Sequence, residues 1–158
     1  RKCPISKKCK RKVFFRGEFP CELLFVMESP YVSDYEAGKP FQGEAGRIVE
    51  ELIQLTGLRK HWSIGFASAV MCMGTTPGQK WRPPNKEEIK NCSSNLDMVV
   101  EQSKCTHVVR VGKIVQKIPF ESQITVDIQY PNTMLVSGCN ESEAFKDAIC
   151  ELSCIPPF

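Results

Sequence analysis

The sequence predicts a single α/β domain with three layers, α/β/α, around a central four-stranded parallel sheet. Two observations predict it: four short apolar runs suited to buried strands, and segments of helical period between them. Strands that alternate with helices form parallel sheets covered on both faces. The composition agrees, since 42% hydrophobic and 25% charged residues are ordinary for a folded chain. We therefore expect residues 1–158 to form one domain with a real core.

The predicted elements follow one another in regular order. Residues 22–28 form the first strand, and a loop rich in Pro and Gly follows over residues 29–43. Apolar residues at helical spacing begin a helix at Ala45, and Gly57 ends it. The remaining elements are a strand over 62–71, a Pro-rich loop over 75–85, a helix over 86–103, a strand over 106–111, a short helix near Gly112, a strand over 124–129 and a last helix that contains Phe145 and Leu152.

The parallel sheet also predicts where a ligand binds. Ligands of such sheets lie beyond the carboxyl ends of the strands. The loops that follow Glu28, Met71 and Gln129 are therefore expected to meet at one site.

Positive charge is concentrated near the amino terminus, although the net charge of the chain is only +3. Basic clusters suit a phosphate backbone, because each neutralised phosphate releases counterions. We predict that the amino-terminal arm, residues 1 to about 21, contacts nucleic acid; the alternative is a solvated basic arm. The basic residues of the first sixteen are Arg1, Lys2, Lys7, Lys8, Lys10, Arg11, Lys12 and Arg16, with Lys7, Lys8, Lys10 and Arg11 as the DNA-binding candidates.

Nine cysteines are many for a chain in which no secretory leader is visible. No apolar run approaches the ~20 residues of a membrane span, so we expect an intracellular protein with no membrane partner. Disulfides are rare inside cells. The cysteines are therefore explained as ligands of a metal or cluster, or as small buried residues.

The most specific motif follows the first predicted strand. It reads Met27-Glu28-Ser29-Pro30-Tyr31, and Gly38-Lys39-Pro40-Phe41-Gln42-Gly43-Glu44-Ala45-Gly46 comes after it. This segment resembles the family 4, iron–sulfur uracil-DNA glycosylases, whose pattern is Gly-Glu-Ala-Pro-Gly, a spacer and Gly-x-Pro-Phe-x-Gly-x-Ala-Gly. The resemblance covers nearly the whole chain and implies the uracil-DNA glycosylase fold.

A second segment carries cysteines. Cys72 follows the second predicted strand, and a Pro-rich loop and a helix start lead to Cys92. The family has this layout and two more ligands in an amino-terminal Cys-x-x-Cys motif; the nearest equivalents are Cys3 and Cys9, at wider spacing, with Cys21 in reserve. The resemblance implies a structural [4Fe–4S] cluster on Cys3, Cys9, Cys72 and Cys92. Four-cysteine zinc and four unrelated buried thiols are the alternatives.

A third segment follows the last predicted strand and reads Gln129-Tyr130-Pro131-Asn132-Thr133-Met134-Leu135. The family has a Tyr-His-Pro loop here, and its His corresponds to Tyr130. A phenol with a pKa near ~10 is a neutral donor at pH 7, unlike imidazole. Met134 and Leu135 fall where the family inserts an apolar wedge into the duplex, and ordinary loop packing is the alternative.

The resemblance implies a pocket that receives a base flipped out of the DNA. Phe41 matches the aromatic residue that stacks on this base. Glu28 matches the acidic residue that positions water or stabilises positive charge on the sugar. Tyr130 is the second catalytic candidate, through a hydrogen bond to uracil O2.

Three predicted substrate-binding positions depart from the family pattern. Tyr31 replaces a glycine, and in this it is similar to the family 1 enzymes, whose tyrosine excludes the methyl group of thymine. Ser29 falls where family 1 has its catalytic aspartate. Ser68 falls where family 4 has the asparagine that recognises uracil, and a hydroxyl offers fewer hydrogen bonds than an amide.

We therefore expect a DNA glycosylase that hydrolyses the N-glycosidic bond of uracil or a related modified base. The alternative is a catalytically inactive member of the fold that binds DNA, a base or a protein partner. The replacements at Ser68 and Tyr130 favour that alternative, because they change two recognition groups at once. In either case we expect a monomer.

Overall fold

A computed structural model describes residues 3–75, 78–131 and 143–156 of the chain. Its centre is a five-stranded sheet in the order β1-β3-β2-β4-β5. Strands β2 to β5 are mutually parallel, which confirms the predicted four-stranded parallel sheet, and β1 adds an antiparallel fifth strand beside β3. The strands are β1 (Phe15–Gly17), β2 (Leu23–Met27), β3 (Ile64–Ser68), β4 (His107–Val111) and β5 (Ile124–Ile128).

Strand β1 was not predicted, because its three residues are too short for an alternating pattern. It lies inside the predicted amino-terminal arm, and Phe15 pairs with Ala67 of β3. Strand β3 is shorter than the predicted residues 62–71. The Trp62 backbone N–H donates to Leu58 in the preceding turn, and the ladder starts only at Ile64.

The helices are α1 (Val32–Ala37), α2 (Glu44–Thr56), α3 (Lys86–Ser103) and α4 (Glu143–Ser153), with short 3₁₀ turns at Leu58–Lys60 and Val115–Lys117. Helix α2 ends as predicted at Gly57, which takes the left-handed φ of 68° that glycine adopts without strain. Helix α1 lies in the predicted loop over residues 29–43, because six residues carry no periodic signal. Its first turn is closed by the Asp34 carboxylate, which accepts from the Tyr31 N–H.

Successive residues of β2 point to opposite faces of the sheet, and this alternation builds two cores. Leu23, Phe25 and Met27 pack with helices α2 and α4 on one face. Leu24 and Val26 pack with α3 and with apolar residues of the amino-terminal arm on the other face. The three-layer α/β/α prediction is confirmed.

The carboxyl ends of the four parallel strands meet at one edge of the sheet. In spatial order they present Ser68 at the end of β3, Glu28 after β2, Gly112 after β4 and Tyr130 shortly after β5. Of the helices described, none is long and apolar enough to cross a membrane.

The loop between α1 and α2 is fastened to the sheet by one guanidinium. Phe41 in this loop has a φ of 57°, a left-handed conformation that residues with side chains rarely adopt. The Arg16 side chain donates to the carbonyls of Pro40 and Phe41, at 2.7 and 3.2 Å. It also pairs with Glu50 of α2 at 3.1 Å and lies 3.8 Å above the Phe66 ring of β3. Arg16 therefore ties β1, the loop, α2 and the sheet together.

Gly46 allows α2 to begin directly behind this loop. A Cβ atom at Gly46 would overlap the carbonyl oxygen of Phe41, so no larger residue fits without moving the loop. A Cβ atom at Gly43 would likewise overlap the Ser33 hydroxyl. The second and third glycines of the Gly-x-Pro-Phe-x-Gly-x-Ala-Gly pattern are thus explained by close approach of backbone and side chains.

Replacing Gly46 by alanine should destabilise the protein. At an open helix position, Gly→Ala stabilises by roughly 1 kcal/mol. Here overpacking against Phe41 should reverse the sign, and we expect Gly46→Ala to lower the free energy of unfolding by about 1–3 kcal/mol. Urea denaturation measures this, with Gln54→Ala on the exposed face of α2 as the control, expected within about 0.5 kcal/mol of wild type. Wild-type stability of Gly46→Ala would contradict the close approach.

Candidate active site

A cavity of about 100 Å³ opens where β2 meets the loop between α1 and α2. Such a volume holds roughly three water molecules at ~30 Å³ each. Tyr31, Phe41 and Tyr130, three of the predicted site residues, line it together with Met27 and Gly43. A larger hollow of about 580 Å³ runs along α2 among charged side chains and contains no predicted site residue.

Phe41 forms one wall of the cavity and is almost fully buried, with 3% of its surface exposed. Its ring lies 5.4 Å from the Phe66 ring at an interplanar angle of 58°. The fixed backbone of the loop and this ring contact leave Phe41 little freedom. A preformed aromatic wall of this kind suits stacking against a flat ring.

Tyr31 forms a second wall, and its ring contacts two other aromatic rings. The Trp81 ring is stacked on it at 4.1 Å with an interplanar angle of 11°. The Tyr130 ring lies 5.7 Å from it on a tilt of 30°. Trp81 belongs to the Pro-rich loop after β3 and was not predicted, because that loop offers no periodic pattern.

Glu28 lies at the end of β2 with only 9% of its surface exposed. Its carboxylate accepts a hydrogen bond from the Ile114 N–H in the turn after β4. Gly112 makes room for it, since a Cβ atom there would lie 2.7 Å from Glu28 Oε1 and 3.3 Å from Tyr130 Cδ2. Burial raises the pKa of Glu28, and the Ile114 hydrogen bond offsets part of this rise.

Tyr130 brings a hydroxyl to the same place. This hydroxyl is buried and finds no hydrogen-bond partner in the described part of the chain. Burial raises the pKa of Tyr130 well above the usual phenol value, and the neighbouring Tyr31 phenol and the carboxylates of Asp34 and Glu28 add to the rise. The Tyr31 phenol is thus close enough to oppose ionisation without giving the Tyr130 hydroxyl a well-formed hydrogen bond. Tyr130 therefore stays protonated at neutral pH and keeps a proton to donate.

Ser29 and Ser68 differ in the hydrogen bonding of their hydroxyl groups. Ser29 is 1% exposed, and within the described residues its hydroxyl also has no hydrogen-bond partner. Ser68 is fully buried and donates its hydroxyl proton to the Val70 carbonyl at 2.7 Å. Neither serine lines the 100 Å³ cavity. Of the predicted site residues Glu28, Phe41, Ser68 and Tyr130, therefore, Phe41 and Tyr130 lie on the cavity, Glu28 lies beside Tyr130, and Ser68 does not line the cavity.

Asp34 is a residue that the sequence reasoning missed. It lines the cavity, is 2% exposed and accepts backbone N–H bonds from Tyr31 at 2.9 Å and Gln42 at 2.6 Å. Burial raises the pKa of Asp34, while these hydrogen bonds and the charge of Arg16 lower it. Asp34 lies three residues after Tyr31, the residue that precedes α1. A carboxylate at this position commonly caps the first turn of a helix, and this spacing is the sequence signal that could have identified Asp34.

The basic arm lies against α1. Lys7, Lys8 and Lys10 are exposed, whereas the Arg11 guanidinium donates to the carbonyls of Tyr35 and Glu36 in the last turn of α1. Arg11 is therefore occupied in holding the arm beside the loop that leads to Phe41. The wedge candidates Met134 and Leu135 lie outside the described residues.

The four predicted ligand cysteines lie near one another. Cys72 and Cys92 are buried, and Cys3 and Cys9 are partly buried against the same core. Burial raises the pKa of Cys72, and so do its hydrogen bond with Cys9 and its closeness to Cys92 and Cys3. A cavity of about 180 Å³ is lined by Cys3, Cys72 and Cys92.

The reserve candidate Cys21 lies elsewhere in this core, beside Cys105 and Ser103. Burial raises the pKa of Cys21 to about 11, so it is a protonated packing residue at neutral pH. Within the described ranges, no three His, Cys, Asp or Glu side chains are arranged to hold a single metal ion.

Comparison with known proteins gives a consistent result. A family profile described as "Uracil DNA glycosylase superfamily" matches residues 14–151, most of the chain. A type-4 uracil-DNA glycosylase of Pyrobaculum aerophilum is 32% identical over 120 residues, which cover 76% of this chain and 59% of that protein. A type-4 uracil-DNA glycosylase of Archaeoglobus fulgidus is 26% identical over 143 residues, covering 87% and 65%.

A third relative, the type-4 uracil-DNA glycosylase of Saccharolobus solfataricus, is 29% identical over 113 residues, covering 71% of this chain and 50% of that protein. The matched part thus spans between half and two thirds of the length of these curated relatives.

Removing the charge of Glu28 should stabilise the protein at neutral pH. Because the pKa of Glu28 is raised above its usual 4.5, the folded state favours the protonated carboxyl. The contribution of this group to the free energy of unfolding is therefore fully present below pH 4.5 and is lost as the pH rises through the raised pKa. Glu28→Gln has nearly the same shape and can still accept from Ile114. We expect it to raise the free energy of unfolding relative to wild type at pH 7 but not at pH 4, measured by urea denaturation.

Glu101→Gln on the exposed face of α3 is the control and should show no such difference between the two pH values. A Glu28→Gln protein less stable than wild type at pH 7 would mean that the carboxylate is well solvated or well paired there.

Proposed function

The chain belongs to the uracil-DNA glycosylase superfamily, and from that premise we propose that it is a DNA glycosylase that removes uracil or a closely related base by hydrolysis of the N-glycosidic bond. The observation that carries the proposal is the buried hydroxyl of Tyr130, which has no hydrogen-bond partner among the described residues and lies on a small aromatic cavity close to the buried carboxylate of Glu28. A buried donor without a partner is unfavourable unless a ligand satisfies it.

The cavity provides the base pocket in this proposal. A base flipped out of DNA is held by stacking and by hydrogen bonds to its edge. Phe41 and Tyr31 supply apolar, aromatic walls, and the Arg16 contacts keep Phe41 in place before any ligand arrives. Preorganisation of this kind lowers the entropy that binding must overcome.

Glu28 acts on the sugar side of the scissile bond. Hydrolysis places a water oxygen on the sugar carbon and releases the base with the bonding electrons, so positive charge develops on the sugar. A buried carboxylate can accept a proton from that water or stabilise the positive charge. The raised pKa makes Glu28 a stronger base than a solvated carboxylate, and the Ile114 N–H fixes its orientation.

Tyr130 acts on the base side. The departing base gains negative charge on its carbonyl oxygens, and a preorganised donor aimed at such an oxygen lowers the barrier. The Tyr130 hydroxyl keeps its proton because its pKa is raised, so it can donate throughout the reaction. A neutral phenol gives weaker electrostatic help than a protonated imidazole would.

DNA approaches this side of the molecule across the basic arm. Lys7, Lys8 and Lys10 are exposed, and Arg11 keeps the arm next to α1 and the Phe41 loop. Contacts to the phosphate backbone are independent of sequence and weaken as salt is added. These lysines therefore contribute affinity, whereas the cavity contributes base choice.

Cys3, Cys9, Cys72 and Cys92 fit a [4Fe–4S] cluster, and we propose that they hold one. Thiolates are the ligands that iron clusters require, and the four lie around Cys72 next to a cavity of about 180 Å³. Four thiolates would also suit zinc, and the metal content of the purified protein distinguishes the two. When bound, the cluster supplies a covalent link between the amino-terminal arm, the end of β3 and α3.

One observation favours the alternative of a binding protein without catalysis. The Ser68 hydroxyl, at the position of the family's uracil-recognising asparagine, already donates to Val70 and does not reach the cavity. Recognition of the base edge would then depend on fewer groups. The activity measurement separates the two functions.

Single-turnover cleavage of DNA that contains one uracil tests the proposal. Wild type should leave abasic sites that alkali converts to strand breaks. Glu28→Gln should lower the rate by about 10²–10⁴, and Tyr130→Phe by about 10²–10³. Glu101→Gln and Tyr35→Phe are the matched controls and should keep the wild-type rate. Tight DNA binding without abasic sites, across a panel of damaged bases, would instead support the binding protein.

The cluster is tested by colour and metal content. Protein purified without oxygen should be brown and should contain about four irons per chain. Cys72→Ser and Cys92→Ser should lose both colour and iron, whereas Cys150→Ser on the exposed side of α4 should keep them. Zinc in place of iron would refute the proposed cluster, and full colour in Cys72→Ser would refute the proposed ligand set.

A further inference from the structure

Two aromatic rings pack against the ring of Tyr31. Trp81 stacks on it at 4.1 Å and nearly parallel, and Tyr130 lies 5.7 Å from it. Tyr31 and Tyr130 both line the 100 Å³ cavity, whereas Trp81 lies outside it. The position of the Tyr31 wall therefore depends on a residue that has no direct contact with whatever fills the cavity.

Trp81 is itself firmly anchored. Its indole Nε1–H donates to the Pro30 carbonyl, next to Tyr31, at 3.1 Å. The adjacent Arg82 forms a two-pronged pair with Glu88 of α3, at 2.9 and 2.6 Å, and Glu88 is only 2% exposed. Bidentate pairs of this kind fix geometry as well as supplying energy. Trp81 is thus a rigid support that couples the start of α3 to the Tyr31 ring.

A cavity that holds roughly three waters leaves little room beyond a flat pyrimidine ring. A base with a substituent on ring carbon 5 needs more space, and the Tyr31 ring would have to move to provide it. Trp81 is stacked on Tyr31 and does not line the cavity, so its ring restricts that movement of Tyr31.

We propose that Trp81 is a specificity-determining residue that acts by position: it holds Tyr31 against the cavity and thereby excludes pyrimidines that carry a 5-methyl or larger group. The inference rests on the proposed function in one respect, namely that a flipped base enters this cavity. It goes beyond that function by naming what sets the size limit.

The test measures binding and cleavage separately. DNA that contains 2′-fluoroarabinouridine, or the 5-methyl form of the same nucleotide, resists glycosidic hydrolysis, so equilibrium binding can be measured without reaction. Wild type should bind the unsubstituted nucleotide at least about tenfold more tightly, the range that one extra methyl group gives in a tight pocket. Trp81→Ala should reduce this ratio at least about fivefold, and Trp81→Leu, which keeps apolar bulk without a flat ring, should do the same.

Two variants serve as controls. Trp81→Phe keeps a flat ring and should retain most of the discrimination. Lys80→Ala removes an exposed charge from the same loop, so it should weaken binding to both nucleotides equally and leave the ratio unchanged. Purely structural damage would lower both affinities without changing their ratio, which distinguishes it from the proposed role.

The outcomes separate this inference from the proposed function. If wild type does not cleave uracil-containing DNA but the binding ratio falls in Trp81→Ala and Trp81→Leu, the glycosylase proposal fails and the role of Trp81 stands. If wild type does cleave and the ratio is unchanged in both variants, the role of Trp81 is refuted. Equal binding of the two nucleotides by wild type would also refute it.

Discussion

The Arg16 guanidinium holds the Phe41 loop, and the candidate site depends on that restraint. A left-handed backbone at a residue with a side chain is unfavourable by about 1–3 kcal/mol unless its surroundings enforce it. Here charge-assisted hydrogen bonds from Arg16 to Pro40 and Phe41 enforce it, and Gly46 gives α2 room to begin directly behind the loop. These contacts therefore fix the position of Phe41 on the wall of the cavity.

Most of the sheet could be predicted from the sequence because its signals are local. Strand β2 is a continuous apolar run buried on both faces, β4 contains three buried valines, and helices α2 and α3 have apolar residues at helical spacing. Strand β1 could not be predicted, because what makes it a strand is its pairing with β3, about fifty residues away along the chain. Helix α1 depends on a single capping carboxylate, and one such signal does not distinguish a helix from a turn.

The candidate site was predicted only where a motif marks it. Phe41 and Tyr130 line the cavity, and Glu28 lies beside Tyr130. Glu28 and Tyr130 are positioned because they lie just after strands, and Phe41 because it lies in the loop that Arg16 holds. Trp81 could not be predicted as part of the site, since what connects it to the site is a stacking contact with Tyr31, fifty residues earlier in the sequence. Ser68 shows a second limit of prediction from sequence. The sequence gives the residue type at this position, but it does not give the hydrogen-bond partner of the hydroxyl, which is the Val70 carbonyl.

The residues that fix the backbone around the cavity are different from those that the proposed reaction would use. Arg16 and Gly46 fix the Phe41 loop and the start of α2, while Glu28 and Tyr130 are the groups that the proposed reaction uses. Substitution at the second set leaves the first intact. The chemistry at the cavity can therefore change by substitution while the backbone around it is kept.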